Sequence, residues 1–269
     1  MSESATGEFS GKLVLVTGGS RGIGEAIVDG FVEGGGSVIA TAATDEGLEL
    51  INAKYDQEES SVLSARLDLL QEPDFEAFMQ TTMESAGNRF DHLVASAGRL
   101  PLDVLVNNAS VTDDDLLARL SRAQITDVIG TNLIGTILMT QAAMPYLKKT
   151  NNPSIVNVSS VSGAIRGNMG QTNYGAAKAG LLGFQRSLIQ EHPARRGKEL
   201  RINTVLPGAI KTRMTDVLSD EIKGTMAEHA ALKRVGEPNE VASAVIFLAS
   251  SRASFITGAE LTVDGGLSV

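Results

Sequence analysis

The chain of 269 residues has no cysteine and no tryptophan, only three histidines and seven prolines, and 4% aromatic residues. Without cysteine there is no disulfide and no thiol nucleophile, which suits a reducing compartment such as the cytoplasm or an organelle matrix. His92, His192 and His229 share no metal-ligand spacing, so no metal site is expected. No apolar run reaches the ~20 residues of a membrane helix. Met1–Phe9 is polar and acidic, unlike a secretory leader. Positive charge is also scarce: 23 Lys and Arg against 32 Asp and Glu leave a net charge of −9. That balance argues against a nucleic-acid or membrane-surface binder.

What is present is apolar and periodic. Hydrophobic residues make up 42% of the chain. Short β-branched or leucine-rich runs alternate with helical patterns. Strands are expected at 12–17, 37–43, 61–69, 102–106, 154–159, 201–206 and 260–264. Helices are expected at 25–33, 48–55, 73–86, 123–149, 174–191 and 240–250. Strictly alternating strands and helices predict an α/β fold, a Rossmann-type doubly wound parallel sheet in three α/β/α layers. Ligands on such sheets bind beyond the carboxyl ends of the strands. No linker interrupts the pattern, so residues 11–269 are read as one domain behind a flexible N-terminus at 1–10. One irregularity is an echo: Asp91-His-Leu-Val-Ala-Ser-Ala-Gly98 returns twelve residues later as Asp103-Val-Leu-Val-Asn-Asn-Ala-Ser110. Only one copy can form the fourth central strand, and either is a candidate.

Thr17-Gly-Gly-Ser-Arg-Gly-Ile-Gly24 follows the first strand and opens the first helix. Glycines there permit a tight turn and let a pyrophosphate approach backbone N–H groups at a positive helix end. Taken alone, such a cluster is weak evidence. Further segments follow in a fixed order: Asp68 after the third strand, Asn107-Asn108-Ala109-Ser110, Asn132 in a long helix, Ser160 at a strand end, Tyr174-Gly-Ala-Ala-Lys178, Pro207-Gly208, and Thr212. This series resembles the short-chain dehydrogenases/reductases from about Gly11 to Gly266, with Ser110 standing where that family has a glycine.

The resemblance implies a nicotinamide dinucleotide held by Gly18, Ser20, Arg21, Gly22, Ile23, Gly24, Thr44, Asp68, Leu69, Asn108, Ala109, Tyr174, Lys178, Pro207, Gly208, Ile210 and Thr212. Within the chemistry, Tyr174 is the acid–base residue. A phenol ionises near ~10, and a neighbouring ammonium favours its phenolate. Lys178, four residues on, shares its helix face. Ser160 should hydrogen-bond the substrate oxygen as charge develops there, and the resemblance has Asn132 hold a water in the proton relay. The interval from Ser160 to Tyr174 is one residue longer than usual, the extra one lying in Gly163–Gly167, with Ser159 and Ser162 as lesser alternatives to Ser160. The second strand ends Ala40-Thr-Ala-Ala-Thr44 without the acid that binds a ribose hydroxyl, and Arg21 can meet a phosphate, so NADP(H) is favoured over NAD(H). Asp45, just beyond, is the one contrary residue.

Within the family the chain is most similar to 3-oxoacyl-(acyl-carrier-protein) reductases, through Asn107–Leu117, Arg166–Tyr174 and Ile256–Gly266. That likeness implies NADPH-dependent reduction of a 3-oxoacyl thioester, carried by acyl carrier protein or coenzyme A, to the (3R)-hydroxyacyl thioester. Lys148, Lys149, Arg195 and Arg196 would offer an acidic carrier a docking patch. A ketone of another class and a non-catalytic dinucleotide-binding protein are the alternatives. An enoyl reductase would space tyrosine and lysine more widely. A homotetramer is expected, built on the helices near 112–149 and 174–191 and on the last helix and strand.

Overall fold

A computed structural model of the chain describes residues 7–55, 60–72, 74–93, 100–194, 198–212 and 220–269. Seven strands form one wholly parallel sheet: β1 Leu13–Val16, β2 Ser37–Ala42, β3 Val62–Arg66, β4 Val104–Asn107, β5 Ser154–Val158, β6 Arg201–Pro207 and β7 Glu260–Val263. Their order across the sheet is β3-β2-β1-β4-β5-β6-β7. The chain winds outward from β1 to β3, returns to the middle at β4, and winds outward on the other side. A crevice therefore opens between the carboxyl ends of β1 and β4, where the winding reverses.

Both faces of the sheet are covered, so its strands are apolar throughout. The side-chain alternation of a strand then sorts the residues into two cores. Val14, Val16, Val38, Ala40, Val104 and Val106 pack toward α1 (Gly22–Glu33) and α9 (Pro238–Ala249) through Ile27, Phe31, Val245 and Leu248. Leu13, Leu15, Ile39, Leu105 and Ile155 pack toward α3 (Phe75–Arg89), α5 (Thr136–Leu147) and α7 (Thr172–Glu191) through Met79, Met139, Ala143 and Leu188. The expected three-layer α/β/α sandwich is the observed one. Buried Arg201 donates to the carbonyls of Leu248, Ala249 and Ser250, closing the C-terminal end of α9.

Several expectations change in detail. Residues 7–10 are not a loose lead-in: Phe9 is 3% exposed and meets the Phe31 ring edge-on with centroids 4.7 Å apart. Helix α1 starts at Gly22 rather than at residue 25, and α2 (Asp45–Tyr55) starts three residues before its expected position. The third strand stops at Arg66, leaving Asp68 and Leu69 in the loop beyond it. The helix expected at 123–149 is three segments: α4 (Arg122–Ile129), a π-helical stretch (Gly130–Gly135) and α5. Beyond the expected set lie the four-residue turn α6 (Val161–Ala164) and α8 (Asp220–His229). Among the described residues no helix is long and apolar enough to cross a membrane.

The echoed segment is resolved in favour of its second copy. Residues 103–110 supply β4, paired to β1 through Val14↔Val104 and to β5 through Val104↔Ser154. In the first copy Asp91–Leu93 form a single turn, and residues 94–98 lie outside the described residues. Both copies begin with Asp-x-Leu-Val, so they differ in the next pair of residues. Asn107 donates to Thr140 Oγ1 and Asn157 Oδ1, and Asn108 donates to the carbonyls of Thr17 and Gly18. The alanine and serine of the first copy, Ala95 and Ser96, have no amide to make these bonds.

Asp103 fastens the start of β4. Its buried carboxylate accepts from the Leu13 N–H, Lys12 Nζ and Thr150 Oγ1, all within 3.0 Å. Asp103→Ala removes all three acceptor contacts and strands the Leu13 N–H, at a cost of roughly 1–3 kcal/mol. Urea unfolding should show the unfolding free energy fall by that margin, with a lower midpoint; an unchanged midpoint would contradict the anchoring role.

Candidate active site

The site begins with the turn after β1. Gly18 and Gly22 have φ of +68° and +58°, in the left-handed region. A Cβ on Gly18 would sit 2.9 Å from Ala109 Cα, and one on Gly24 would lie 1.9 Å from the Gly18 carbonyl oxygen. Only glycine fits, because the turn is pressed against the end of β4. Thr17 makes that join: its Oγ1 accepts the N–H groups of Asn108 and Ala109 at 3.0 and 3.1 Å. No side chain caps the N-terminus of α1, so its first-turn N–H groups are available to an anion.

The crevice encloses about 730 Å³ and is lined by every residue expected to hold a dinucleotide: Gly18, Ser20, Arg21, Gly22, Ile23, Gly24, Thr44, Asp68, Leu69, Asn108, Ala109, Tyr174, Lys178, Pro207, Gly208, Ile210 and Thr212. The turn that a Cβ would fill and the free helix N–H groups fit a pyrophosphate. At the far end Arg21 lies 3.5 Å from the Glu46 carboxylate. Asp45 is paired with Arg66 and does not line the crevice. Thr44 Oγ1 accepts the Gly47 N–H and so caps α2.

The chemistry-bearing side chains gather at the other end. Tyr174 rises from the first turn of α7, and Lys178 follows one turn later with Nζ 5.7 Å from the Tyr174 ring centre. Lys178 is 2% exposed, and its ammonium donates to the Val158 carbonyl at 2.9 Å. Burial lowers its pKa to about 7. Burial pushes the Tyr174 phenol above its ordinary value; the hydroxyls of Ser160 and Ser110 pull it back down, and Asp114 adds to the upward push.

Of the three serines at the end of β5, Ser160 alone faces the phenol. Ser159 Oγ donates to the Lys178 carbonyl, and Ser162 Oγ accepts from Asn168 Nδ2. Ser160 Oγ also accepts the Ser162 N–H, capping α6. The extra residue between Ser160 and Tyr174 is absorbed in a tight loop. Gly163, at φ +89°, donates to the Arg166 carbonyl, and Ile165 is turned out to solvent.

Asn132 sits in the π-helical stretch, a geometry frequent at functional sites. Its amide binds the Val111 backbone twice: Nδ2 donates to the carbonyl and Oδ1 accepts the N–H, both at 2.8 Å. The side-chain amide of Asn132 thus fixes the loop after β4. Its main-chain carbonyl accepts Thr136 Oγ1 at 3.1 Å. Val111 and Thr131 line the crevice without having been named among the expected site residues. The π-helical geometry that brings Asn132 to Val111 leaves no periodic trace. The basic residues Lys148 and Lys149 follow α5, next to the amino end of β5 and far from Tyr174, while Arg195 and Arg196 lie outside the described residues. Among the described residues no cluster of three or more His, Cys, Asp or Glu could hold a metal ion.

A family model described as enoyl-(acyl carrier protein) reductase matches residues 18–268. The chain is 41% identical to a 3-oxoacyl-(acyl-carrier-protein) reductase of Vibrio harveyi, covering 96% of this chain and 98% of the relative. It is 38% identical to the protein of the same name from Thermotoga maritima, again over 96% and 98%. A crystal structure from Brucella melitensis, titled short-chain dehydrogenase/reductase SDR:glucose/ribitol dehydrogenase, superposes with a TM-score of 0.84 at 31% identity, covering 98% of this chain and 99% of that one.

The buried ammonium has a measurable cost. Between about 7 and 10.5 the unfolded chain keeps the Lys178 proton while the folded chain releases it. The destabilisation is therefore full below that window and fades as pH rises through it. Lys178→Met should be more stable than the parent by roughly 1–3 kcal/mol at mildly acid pH, with the gap closing toward alkaline pH. Urea titrations at the two extremes check this; a gap that widens with pH would contradict it.

Proposed function

The chain belongs to the short-chain dehydrogenase/reductase family and is an oxidoreductase, and from that membership we propose that it reduces a 3-oxoacyl thioester to the (3R)-hydroxyacyl thioester with NADPH. The single observation carrying the reading is the convergence of Tyr174, Ser160 and Lys178 at one end of a crevice whose other end fits a dinucleotide. When bound, NADPH supplies the hydride. Tyr174 gives its proton to the substrate oxygen, Ser160 hydrogen-bonds that oxygen as charge builds, and Lys178 supports the phenolate left behind. Asn132 holds the Val111 segment in place beside them.

Preference for the phosphorylated dinucleotide rests on Arg21 at the crevice wall and on Asp45 being engaged by Arg66. Arg21 would exchange Glu46 for the phosphate. A 3-oxoacyl rather than an enoyl substrate is favoured by the four-residue step from Tyr174 to Lys178 and by the names of the relatives. The same names favour a carrier-bound thioester and, with it, a cytoplasmic setting. A homotetramer is in keeping with exposed Ile134 and Leu138 on the long helical face and with exposed Phe255 and Leu261 beside the unpaired outer edge of β7.

NADPH oxidation with acetoacetyl-carrier protein and with acetoacetyl-coenzyme A tests the proposal. Turnover is expected on both, faster on the carrier. Tyr174→Phe should lower kcat by ~10²–10⁴ while NADPH still binds. Full turnover in that variant would overturn the mechanism. A chain that binds NADPH but turns over neither thioester would point to a ketone of another class or to a non-catalytic dinucleotide binder.

A further inference from the structure

Ser110 is the residue that departs from the family's glycine. Its hydroxyl is buried and takes no hydrogen bond of ordinary geometry with the rest of the protein. A buried hydroxyl without a partner is costly, on the order of 1–3 kcal/mol, and calls for an explanation. Glycine would avoid that cost.

The backbone on both sides of it is fastened, so the hydroxyl can move only by rotation about χ1. On one side the Ala109 N–H donates to Thr17 Oγ1 at 3.1 Å. On the other, both the N–H and the carbonyl of Val111 are bound to the Asn132 amide at 2.8 Å. Ser110 is thus presented to the crevice from the end of β4, alongside Ser160 from the end of β5 and Tyr174 from α7.

We propose that Ser110 is a further catalytic residue, donating a hydrogen bond to Tyr174 Oη and stabilising the phenolate formed when the tyrosine gives up its proton. The inference rests on the acid–base role proposed for Tyr174. A phenol oxygen that donates its proton to substrate has little need of further donors. The phenolate that remains can accept several, so the Ser110 bond strengthens as the proton leaves. The proton travels from Tyr174 Oη to the substrate oxygen; the Ser110 O–H bond stays intact throughout. Two other observations agree. The Ser110 hydroxyl lowers the Tyr174 pKa, after Ser160 the larger of the two such contributions. Lys178, the other support for the phenolate, is held where burial depresses its own charge.

The test tracks the ionisation of Tyr174 directly. The chain contains only three tyrosines, so the Cζ resonances of ¹³C-tyrosine-labelled protein are few, and Tyr174→Phe assigns the one needed. In Ser110→Ala and in Ser110→Gly the Tyr174 midpoint should move up by roughly one pH unit, the effect of losing one hydrogen bond to a charged group. Ser110→Thr, which keeps the hydroxyl, should hold the midpoint. The acid-base limb of kcat for hydroxyacyl oxidation should move with it, at little change in the KM for dinucleotide. A midpoint that stays put in both Ser110→Ala and Ser110→Gly would overturn the proposal. The titration requires no substrate, so it judges Ser110 even if thioester turnover fails and the proposed reaction has to be abandoned.

Discussion

The join between β1 and β4 is the constraint on which the rest of the molecule depends. A doubly wound sheet reverses direction there, and the two strand ends must be tied without closing the space above them. Thr17 and Asn108 do this with backbone partners alone: the threonine oxygen accepts two N–H groups of the β4 end, and the asparagine amide donates to two carbonyls of the glycine turn. Because the tie is so short, no Cβ fits at Gly18 or Gly24. The same turn leads directly into α1, whose N-terminus no side chain caps. Sheet topology, glycine positions and anion-binding capacity are thus consequences of one contact.

The other end of the crevice is built on stored cost. A lysine is buried with a single carbonyl for company, a phenol is pushed away from ionisation, and a serine hydroxyl is left unpaired. The lysine and the serine would be better replaced on stability grounds alone. Under the acid–base role proposed for Tyr174, the Lys178 ammonium and the Ser110 hydroxyl would both gain a partner as the proton leaves, offsetting the cost that burial places on the phenolate. Rigid surroundings make this possible: the π-helical stretch and the Asn132–Val111 pair fix one wall, and α6 and α7 approach closely enough at Gly163 and Gly175 to fix the other. The strain of the site is borne by a core that covers both faces of the sheet.

Much of this was legible in the sequence because it depends on short-range signals. Alternating strands and helices, the glycine turn and the Tyr174–Lys178 step all derive from local periodicity and spacing. Helix ends were less legible: Gly22 opens α1 behind an uncapped Arg21, and Thr44 reads as a strand end until its bond to the Gly47 N–H shows it capping α2. The π-helical insertion at Gly130–Gly135 was invisible because it changes a register without changing hydrophobicity. Phe9 reads as part of a polar terminus until its contact with Phe31 is seen. The repeated Asp-x-Leu-Val motif was ambiguous on apolar pattern alone. The choice between the copies lies in long-range bonds of Asn107 and Asn108 to residues far away in the chain.

The central claim is that the crevice between β1 and β4 is a dinucleotide site tuned to a phosphorylated ribose. Equilibrium titration of the protein with NADPH and with NADH, followed by nicotinamide fluorescence, tests it most directly. The account predicts saturable binding of both with NADPH tighter by about tenfold or more, worth ~1.4 kcal/mol, and a preference that weakens in Arg21→Ala. Tighter binding of NADH, or binding of neither, would contradict it.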